Sequence, residues 1–180
     1  MRSELTELER CTLGVIWRDG PMTAYEVAAL YARSLSPYWS GSAGAVYPLV
    51  KRLRQRGLIR GLRRAWNGKK KTVLEVTDAG VATLREWLTP PLPPDAAAPS
   101  QYPLRTRLYF VDVLSDGEKR AFFRDAERAV REQLAAAKKQ RRQDADAANV
   151  SEAIGHLGVV YELEARLRWL RAARGALGIA

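Results

Sequence analysis

Between Lys51 and Lys71 the chain carries ten basic side chains, Lys51, Arg52, Arg54, Arg56, Arg60, Arg63, Arg64, Lys69, Lys70 and Lys71, and no Asp or Glu. Side chains of that type at that density do one kind of chemistry, the neutralisation of a polyanion. On a nucleic-acid duplex, each phosphate so matched releases a condensed counterion. A scattered excess of charge would read as plain solvated surface. Here Leu49, Val50, Leu53, Leu58, Ile59 and Leu62 run through the block, so the cations ride on a folded apolar framework, the pattern of a nucleic-acid-binding face.

Other reactive chemistry is sparse. Cys11 is the sole cysteine, which rules out an internal disulfide framework and a cysteine zinc cluster. It falls on the apolar face of a predicted helix, where buried filler fits better than a redox sensor. His156 is the sole histidine, and it reads as a satisfied or surface residue. No phosphate-binding loop or dinucleotide glycine fingerprint is present. The sequence therefore predicts no catalytic residues, no metal site and no cofactor, and the chain is not read as an enzyme.

The 180 residues are 47% apolar, enough for one good core or two small ones. The formal net charge is +10 and it is unevenly placed. Residues 1–94 hold 15 basic and 8 acidic side chains, a net of +7, and residues 95–180 hold 15 and 12, a net of +3. That asymmetry points to a localised anion-binding surface. No apolar run approaches the roughly 18 residues that suggest a membrane span, and the first residues are polar rather than signal-like. A cytoplasmic protein without membrane association is expected.

The elements that must hold the basic block follow from local signals. Thr6-Glu7-Leu8-Glu9 has the form of a capping box. The helix after it should turn Leu8, Cys11, Thr12, Val15 and Ile16 inward, and Asp19-Gly20-Pro21 stops it. Thr23-Ala24-Tyr25-Glu26 opens a second short helix with Val27, Leu30 and Tyr31 inward. Ser34 to Gly44 reads as a loop, in which Tyr38 and Trp39 are satellite core or rings able to stack on a base or sugar. Val46, Leu49, Val50 and Leu53 then follow i, i+3, i+4, i+7, the stripe of a packed helix. Gly57 ends it, and Pro48 requires that it begin late, near Gly44, or bend there. Ser42, Tyr47, Lys51 and Arg54 should project from its other faces. Leu58–Trp66 and Lys69–Val76 read as strands joined by Asn67-Gly68, a strong hairpin turn. Thr77 opens a closing helix with Val81, Leu84, Trp87 and Leu88 inward. Three helices, a basic hairpin and a closing helix make a winged helix-turn-helix, in which one helix enters the major groove and the wing lies along the phosphates or minor groove.

Several stretches carry a resemblance. Gly20-Pro21-Met22-Thr23-Ala24-Tyr25-Glu26, Ser42-x-Gly44-Ala45-Val46-Tyr47-Pro48-Leu49, Gly57-Leu58-Ile59, Leu74-Glu75-Val76-Thr77-x-Ala79-Gly80 and Leu84-x-x-Trp87 resemble the PadR family of bacterial transcriptional regulators through nearly all of residues 5–90. Ala24 stands where that family usually has Gly. Ala45 replaces a hydroxyl-bearing Thr, which removes one candidate DNA contact, and Leu74-Glu75-Val76-Thr77 replaces Tyr-x-Leu-Thr. The resemblance implies a regulator that dimerises through its C-terminal region and first helix, with relatives that respond to phenolic or other aromatic, apolar compounds.

Beyond residue 89 the pattern changes. Thr89 to Pro99 is too proline-rich for regular helix and reads as a stiff, extended linker. A short apolar helix is expected within Pro103–Val113, packing back on the core. Ser115-Asp116-Gly117-Glu118 is a third capping box and opens a long helix to about Gln143, with Phe122, Ala126, Val130, Leu134 and Ala137 as its seam. The last helix, Ser151 to about Arg174, is apolar on two sides. Ile154, Leu157 and Tyr161 line one, and Val160, Leu163, Leu167 and Leu170 the other, beside Trp169. Two apolar sides need two partners: the preceding helix and, by this reading, a second subunit. An ordinary intramolecular pair is the alternative. Helices of roughly 28 and 24 residues span about 42 and 36 Å, long enough for a dimer arm.

The sequence thus predicts a mainly α protein. It has a winged helix-turn-helix domain with a two-stranded basic wing at residues 1–89, a Pro-rich linker at 90–102 and a helical dimerisation region at 103–180. Its expected function is that of a homodimeric, sequence-specific DNA-binding transcriptional regulator, a repressor released by a small aromatic or apolar effector. The expected operator is a near-palindrome in double-stranded DNA, because a two-fold dimer sets its recognition helices about 34 Å apart. DNA contacts are assigned to Ser42, Tyr47, Lys51 and Arg54 from the recognition helix and to Arg63, Arg64, Lys69, Lys70 and Lys71 from the wing. Ser42 and Tyr47 could instead serve as cap or core, and Arg52 and Arg56 could face their own subunit. The dimer interface is assigned to Ile154, Leu157, Tyr161, Leu163, Leu167 and Leu170. An effector pocket is drawn from the chain's aromatic residues, chiefly Trp17, Tyr109, Phe122 and Tyr161, with Trp39, Tyr102 and Phe110 as further candidates; core packing is their other use. A different class stays open: a winged-helix protein-interaction module whose basic hairpin docks an acidic partner.

Overall fold

The structure is a computed structural model that describes residues 4–34, 37–66, 69–99, 102–146 and 150–179. The Asn67-Gly68 turn lies outside these residues. The chain divides into two compact units, Met1–Ala98 and Pro99–Ala180.

The first unit is built on capped helices. Helix α1 (Glu7–Asp19) and helix α2 (Ala24–Ala32) both begin with complete capping boxes, Thr6 with Glu9 and Thr23 with Glu26. The predicted inward face of α1 is corrected in phase. Glu9, Thr12, Leu13 and Ile16 are its buried residues, while Leu8 and Val15 flank the core and Cys11 is partly exposed. Burial, followed by the nearby Glu7 carboxylate, pushes the Cys11 thiol up to about 12. It therefore stays protonated at neutral pH, and a protonated thiol is a poor nucleophile.

The predicted Ser34–Gly44 loop contains helix α3 (Pro37–Ser40) and a 3-10 turn at Ala43–Ala45. Helix α4 (Val46–Gln55) buries Val46, Leu49, Val50 and Leu53, each worth roughly 1.5–3 kcal/mol when withdrawn from water. Because α4 starts at Val46, Pro48 lies in its first turn, where no backbone donor is missed. Gly57 ends the helix with φ at 74°, a left-handed conformation that costs glycine little.

Strands β1 (Ile59–Trp66) and β2 (Lys69–Val76) pair antiparallel, with Arg60 opposite Glu75 and Arg64 opposite Lys71. Met22 bridges Leu74 and anchors the hairpin's base to the body of the unit. Helix α5 (Asp78–Leu88) is capped by Thr77, whose hydroxyl accepts from the Gly80 amide at 3.2 Å and donates to the Gly57 carbonyl at 2.7 Å. Gly80 is required by packing, since a Cβ there would sit 2.2 Å from the Leu58 carbonyl oxygen. Leu84 is buried, but Leu88, expected inward, is exposed at the end of α5.

At the end of the first unit, the expected extended linker contains a 3-10 turn at Pro94–Ala97. Helix α6 (Pro103–Leu108) and a 3-10 turn at Val111–Val113 precede the two long helices, α7 (Asp116–Asp146) and α8 (Val150–Ala176). The capping box at Ser115 and Glu118 is formed. The α7 seam holds at Ala126, Val130 and Ala137 and is corrected only at its first aromatic position, with Leu134 half-buried. Phe123, not Phe122, is fully buried, with Ala126, Val130 and Ala137, against Val160, Leu163, Leu167 and Leu170 of α8. Glu127 sits within this seam, ion-paired to Arg131 and, at 3.5 Å, to Arg174. Near the far end of the pair, buried Asp144 accepts from Gln140 at 3.1 Å and bonds His156 Nδ1 at 2.6 Å. No helix among the described residues is long and apolar enough to cross a membrane, and no group of acidic, His and Cys side chains among them is arranged to hold a metal.

Candidate nucleic-acid interface

Helix α4 buries one stripe and leaves the opposite one, Tyr47, Lys51, Arg54 and Gln55, in solvent. Strand β2 runs beside it, and Tyr47, Val50, Lys51, Arg54, Thr72 and Leu74 line a single open groove of about 540 Å³. Among the described residues, Lys51 and Arg54 have no carboxylate within 4 Å. The groove therefore offers two uncompensated cations, a phenol and a carboxamide on one rigid helix.

Strand alternation divides the wing's charge. Arg63 and Thr72 are register partners, and this parity places Arg63 and Lys70 on the side of the hairpin that carries Gly61 and Thr72. That side adjoins the groove, since a Cβ at Gly61 would lie 3.3 Å from the Arg54 guanidinium carbon. Arg60, Arg64, Lys71 and Glu75 share the opposite parity. There Arg64 pairs with Glu75 at 2.8 Å and Arg60 with the same carboxylate at 3.1 Å. The wing basic residues are thus not one uniform comb: Arg64 already has an anion, while Arg63, Lys70 and Lys71 have no carboxylate partner among the described residues. For Lys69 the strand pairing with Trp66 is described, but its side chain lies outside the described residues.

Ser42 immediately precedes the 3-10 turn that leads into α4, and its hydroxyl donates to the Tyr38 carbonyl at 2.6 Å. Its one proton is committed, so toward a ligand it can only accept. Tyr47 is 57% exposed, which removes the core alternative for that residue. The Tyr38 ring is also exposed and packs edge-on against Trp39, which leans on buried Tyr31.

One positioning contact has no signal in the block itself. Arg52 turns away from the groove and donates from Nε to Glu9 Oε1 at 2.7 Å, while Glu9 Oε2 accepts from the Thr6 amide at 2.9 Å. The recognition helix is thereby tied to the cap of α1. Burial alone raises the Glu9 carboxyl, but hydrogen bonds from Arg52 and Thr6 more than offset it, and the net value falls below the ordinary 4.5. A carboxyl lowered by folding stabilises the fold above its unfolded value and ceases to do so as pH drops through the folded one. Glu9→Gln should therefore lower stability at pH 7 by about 1–3 kcal/mol. The gap to the unaltered protein should narrow as pH falls below 4.5, which thermal melts at about pH 7 and about pH 3 will measure.

The other assigned sites are redistributed. Leu163, Leu167 and Leu170 are consumed by the α7–α8 pair, because that side of α8 meets α7 within the same chain. Ile154 and Tyr161 stay exposed at 64% and 62%, with Leu157 half-buried between them and Val150 continuing the stripe. Within the second unit, the aromatic residues assigned to one effector pocket are not gathered as a set. Trp17 is exposed in the first unit. In the second, Tyr109 and Trp169 line a cavity of about 390 Å³ with Leu108, Val111 and Ala173, and neither Phe122 nor Tyr161 takes part. Tyr102 packs instead against Trp169, under the Arg166 guanidinium.

A capped helical core whose exposed helix and two-stranded hairpin flank one basic groove is a winged helix-turn-helix. Residues 12–86 match the transcriptional regulator PadR-like family, a family of transcription regulators rather than enzymes. It is 28% identical over 120 residues to the negative transcriptional regulator PadR of Bacillus subtilis, a match spanning 66% of this chain and 64% of that relative. The crystal structure of Bacillus subtilis PadR in complex with operator DNA superposes with a TM-score of 0.77 at 20% identity, covering 93% of this chain and 97% of that one. The same protein in complex with p-coumaric acid superposes with a TM-score of 0.60 at 21% identity, covering 91% and 95%. These likenesses establish the PadR-like fold, with its wing and paired C-terminal helices.

Proposed function

We propose that this chain is a homodimeric, sequence-specific DNA-binding repressor, with the winged domain of residues 1–89 on the duplex and residues 103–180 joining two copies. The observation that carries it is the groove in which Tyr47, Lys51 and Arg54 stand exposed beside the wing. Tyr47 and Lys51 read base edges in the major groove, Arg54 takes an edge or a nearby phosphate, and Ser42 accepts from an exocyclic amine. Arg63, Lys69, Lys70 and Lys71 hold phosphates along the wing, and Arg64 joins them only by leaving Glu75. Repression is supported by the relative named a negative regulator.

Release by a small aromatic or apolar effector is supported by the relative crystallised with p-coumaric acid. In this chain the cavity beside Tyr109 and Trp169 has a volume in the usual ligand range. An effector that binds one dimer geometry better than another shifts the population and with it operator affinity.

Phosphate binding and base reading separate experimentally, because only the former releases counterions. Arg63→Ala with Lys70→Ala should weaken binding to every duplex and flatten the log K against log salt slope by about 0.9 for each phosphate no longer held. An unchanged slope in fluorescence anisotropy would remove the wing from the interface.

A further inference from the structure

We propose that Glu75 restrains the wing: it occupies Arg60 and Arg64 in the free protein and so limits DNA binding that ignores sequence. The proposal rests on the DNA-binding reading above and assigns a role to a residue outside the basic block. Residues 51–71 contain no acid, so any counter-charge must come from elsewhere. The antiparallel register supplies it by setting Glu75 opposite Arg60.

Both carboxylate oxygens are taken. Oε2 accepts from Arg60 Nη2 at 3.1 Å and from its Nε at 3.3 Å, and Oε1 meets Arg64 Nη2 at 2.8 Å. The Glu75 side chain is only 19% exposed, whereas those of Arg60 and Arg64 are 62% and 50% exposed. A fixed acid therefore holds two solvent-facing bases.

Exposed ion pairs are weak, so a duplex phosphate can displace the carboxylate. Each such exchange leaves a half-buried anion beside the DNA, which opposes it. A duplex without the matched sequence offers little beyond phosphate neutralisation, so this restraint falls on the whole of its affinity. Arg63 and Lys70, on the side of the wing that adjoins the groove, have no such partner among the described residues and bind without that cost.

The test is fluorescence anisotropy of the full-length protein and its Glu75→Gln variant on a labelled scrambled duplex across a salt series. Glutamine keeps the shape and can still accept a hydrogen bond, but it holds no charge. Glu75→Gln should bind the scrambled duplex about tenfold more tightly near 0.1 M salt, with a slope steeper by roughly 0.9 to 1.8, as one or two further phosphates are neutralised. The triple variant Arg60→Gln, Arg64→Gln, Glu75→Gln should return the slope to that of the unaltered protein. A merely structural role for Glu75 predicts equal or weaker binding by Glu75→Gln, and either result overturns the proposal. If the unaltered protein binds DNA while the Glu75→Gln slope does not move, this inference alone falls. If the unaltered protein binds no DNA even at low salt, the DNA-binding reading falls and takes this one with it.

Discussion

Replacing Ile154 and Tyr161 together with Asp is expected to convert the protein from dimer to monomer and to lower operator affinity by about two to three orders of magnitude. Helix α8 divides its apolar residues between two tasks. Val160, Leu163, Leu167 and Leu170 are buried against α7, and that packing already holds the second unit together. Ile154 and Tyr161, with Leu157 and Val150, form a separate apolar stripe whose outer members stand in solvent. A charge placed on an exposed position costs the monomer little, since surface substitutions usually fall within about 0.5 kcal/mol. The same charge trapped in a two-fold interface is met by its own symmetry mate, so each substitution acts twice. Affinity follows because a dimer turns the second half-site encounter into an intramolecular event. Analytical ultracentrifugation gives the mass, and thermal melts should show a folded monomer. A variant that stays dimeric would place the subunit interface elsewhere.

The second large effect concerns sequence reading. Tyr47→Ala and Lys51→Ala should each weaken operator binding about ten- to a hundredfold, the range of one good base contact, while binding to scrambled duplex changes far less. Tyr47 carries no charge to exchange for a counterion, so its loss should leave the salt slope in place. Both residues stand on the exposed stripe of α4, whose backbone is fixed from behind by Leu49, Val50 and Leu53 and from the side by the Arg52–Glu9 pair. Truncating either side chain therefore removes a solvent-facing group without loosening the helix. Equal losses on operator and scramble would instead assign these residues to the phosphates.

The contrast between what the residues announced and what they concealed has a physical pattern. Local signals were legible. The capping boxes at Thr6, Thr23 and Ser115 formed where the side-chain spacing placed them, Gly57 stopped the recognition helix, and the apolar stripe from Val46 to Leu53 became its buried face. These features depend on residues three or four apart, which the chain fixes by itself. Rotational phase was less legible. On α1, Leu8 and Val15 compete with Leu13 for the inward stripe, and on α7, Phe122 competes with Phe123. Only the partner surface decides between neighbours one residue apart.

Pairings across the fold were hidden for the same reason. The capping box showed that Glu9 would be engaged at Thr6, but nothing nearby showed that its other oxygen would meet Arg52. Nothing local to Glu75 shows that the strand register brings its carboxylate to both Arg60 and Arg64. Arg64, assigned to DNA contact from its charge and its place in the wing, is a paired cation. On α8 both apolar faces were visible, and only packing showed that Leu163, Leu167 and Leu170 belong to the chain's own interior.

The most direct measurement is fluorescence anisotropy of the full-length protein on DNA from immediately upstream of its own coding sequence, against a scrambled duplex of equal length over a salt series. Saturable binding near physiological salt, tighter than the scramble by about a thousandfold, is the predicted result. Failure to bind either duplex at low salt would contradict it and would turn the basic wing toward an acidic protein partner.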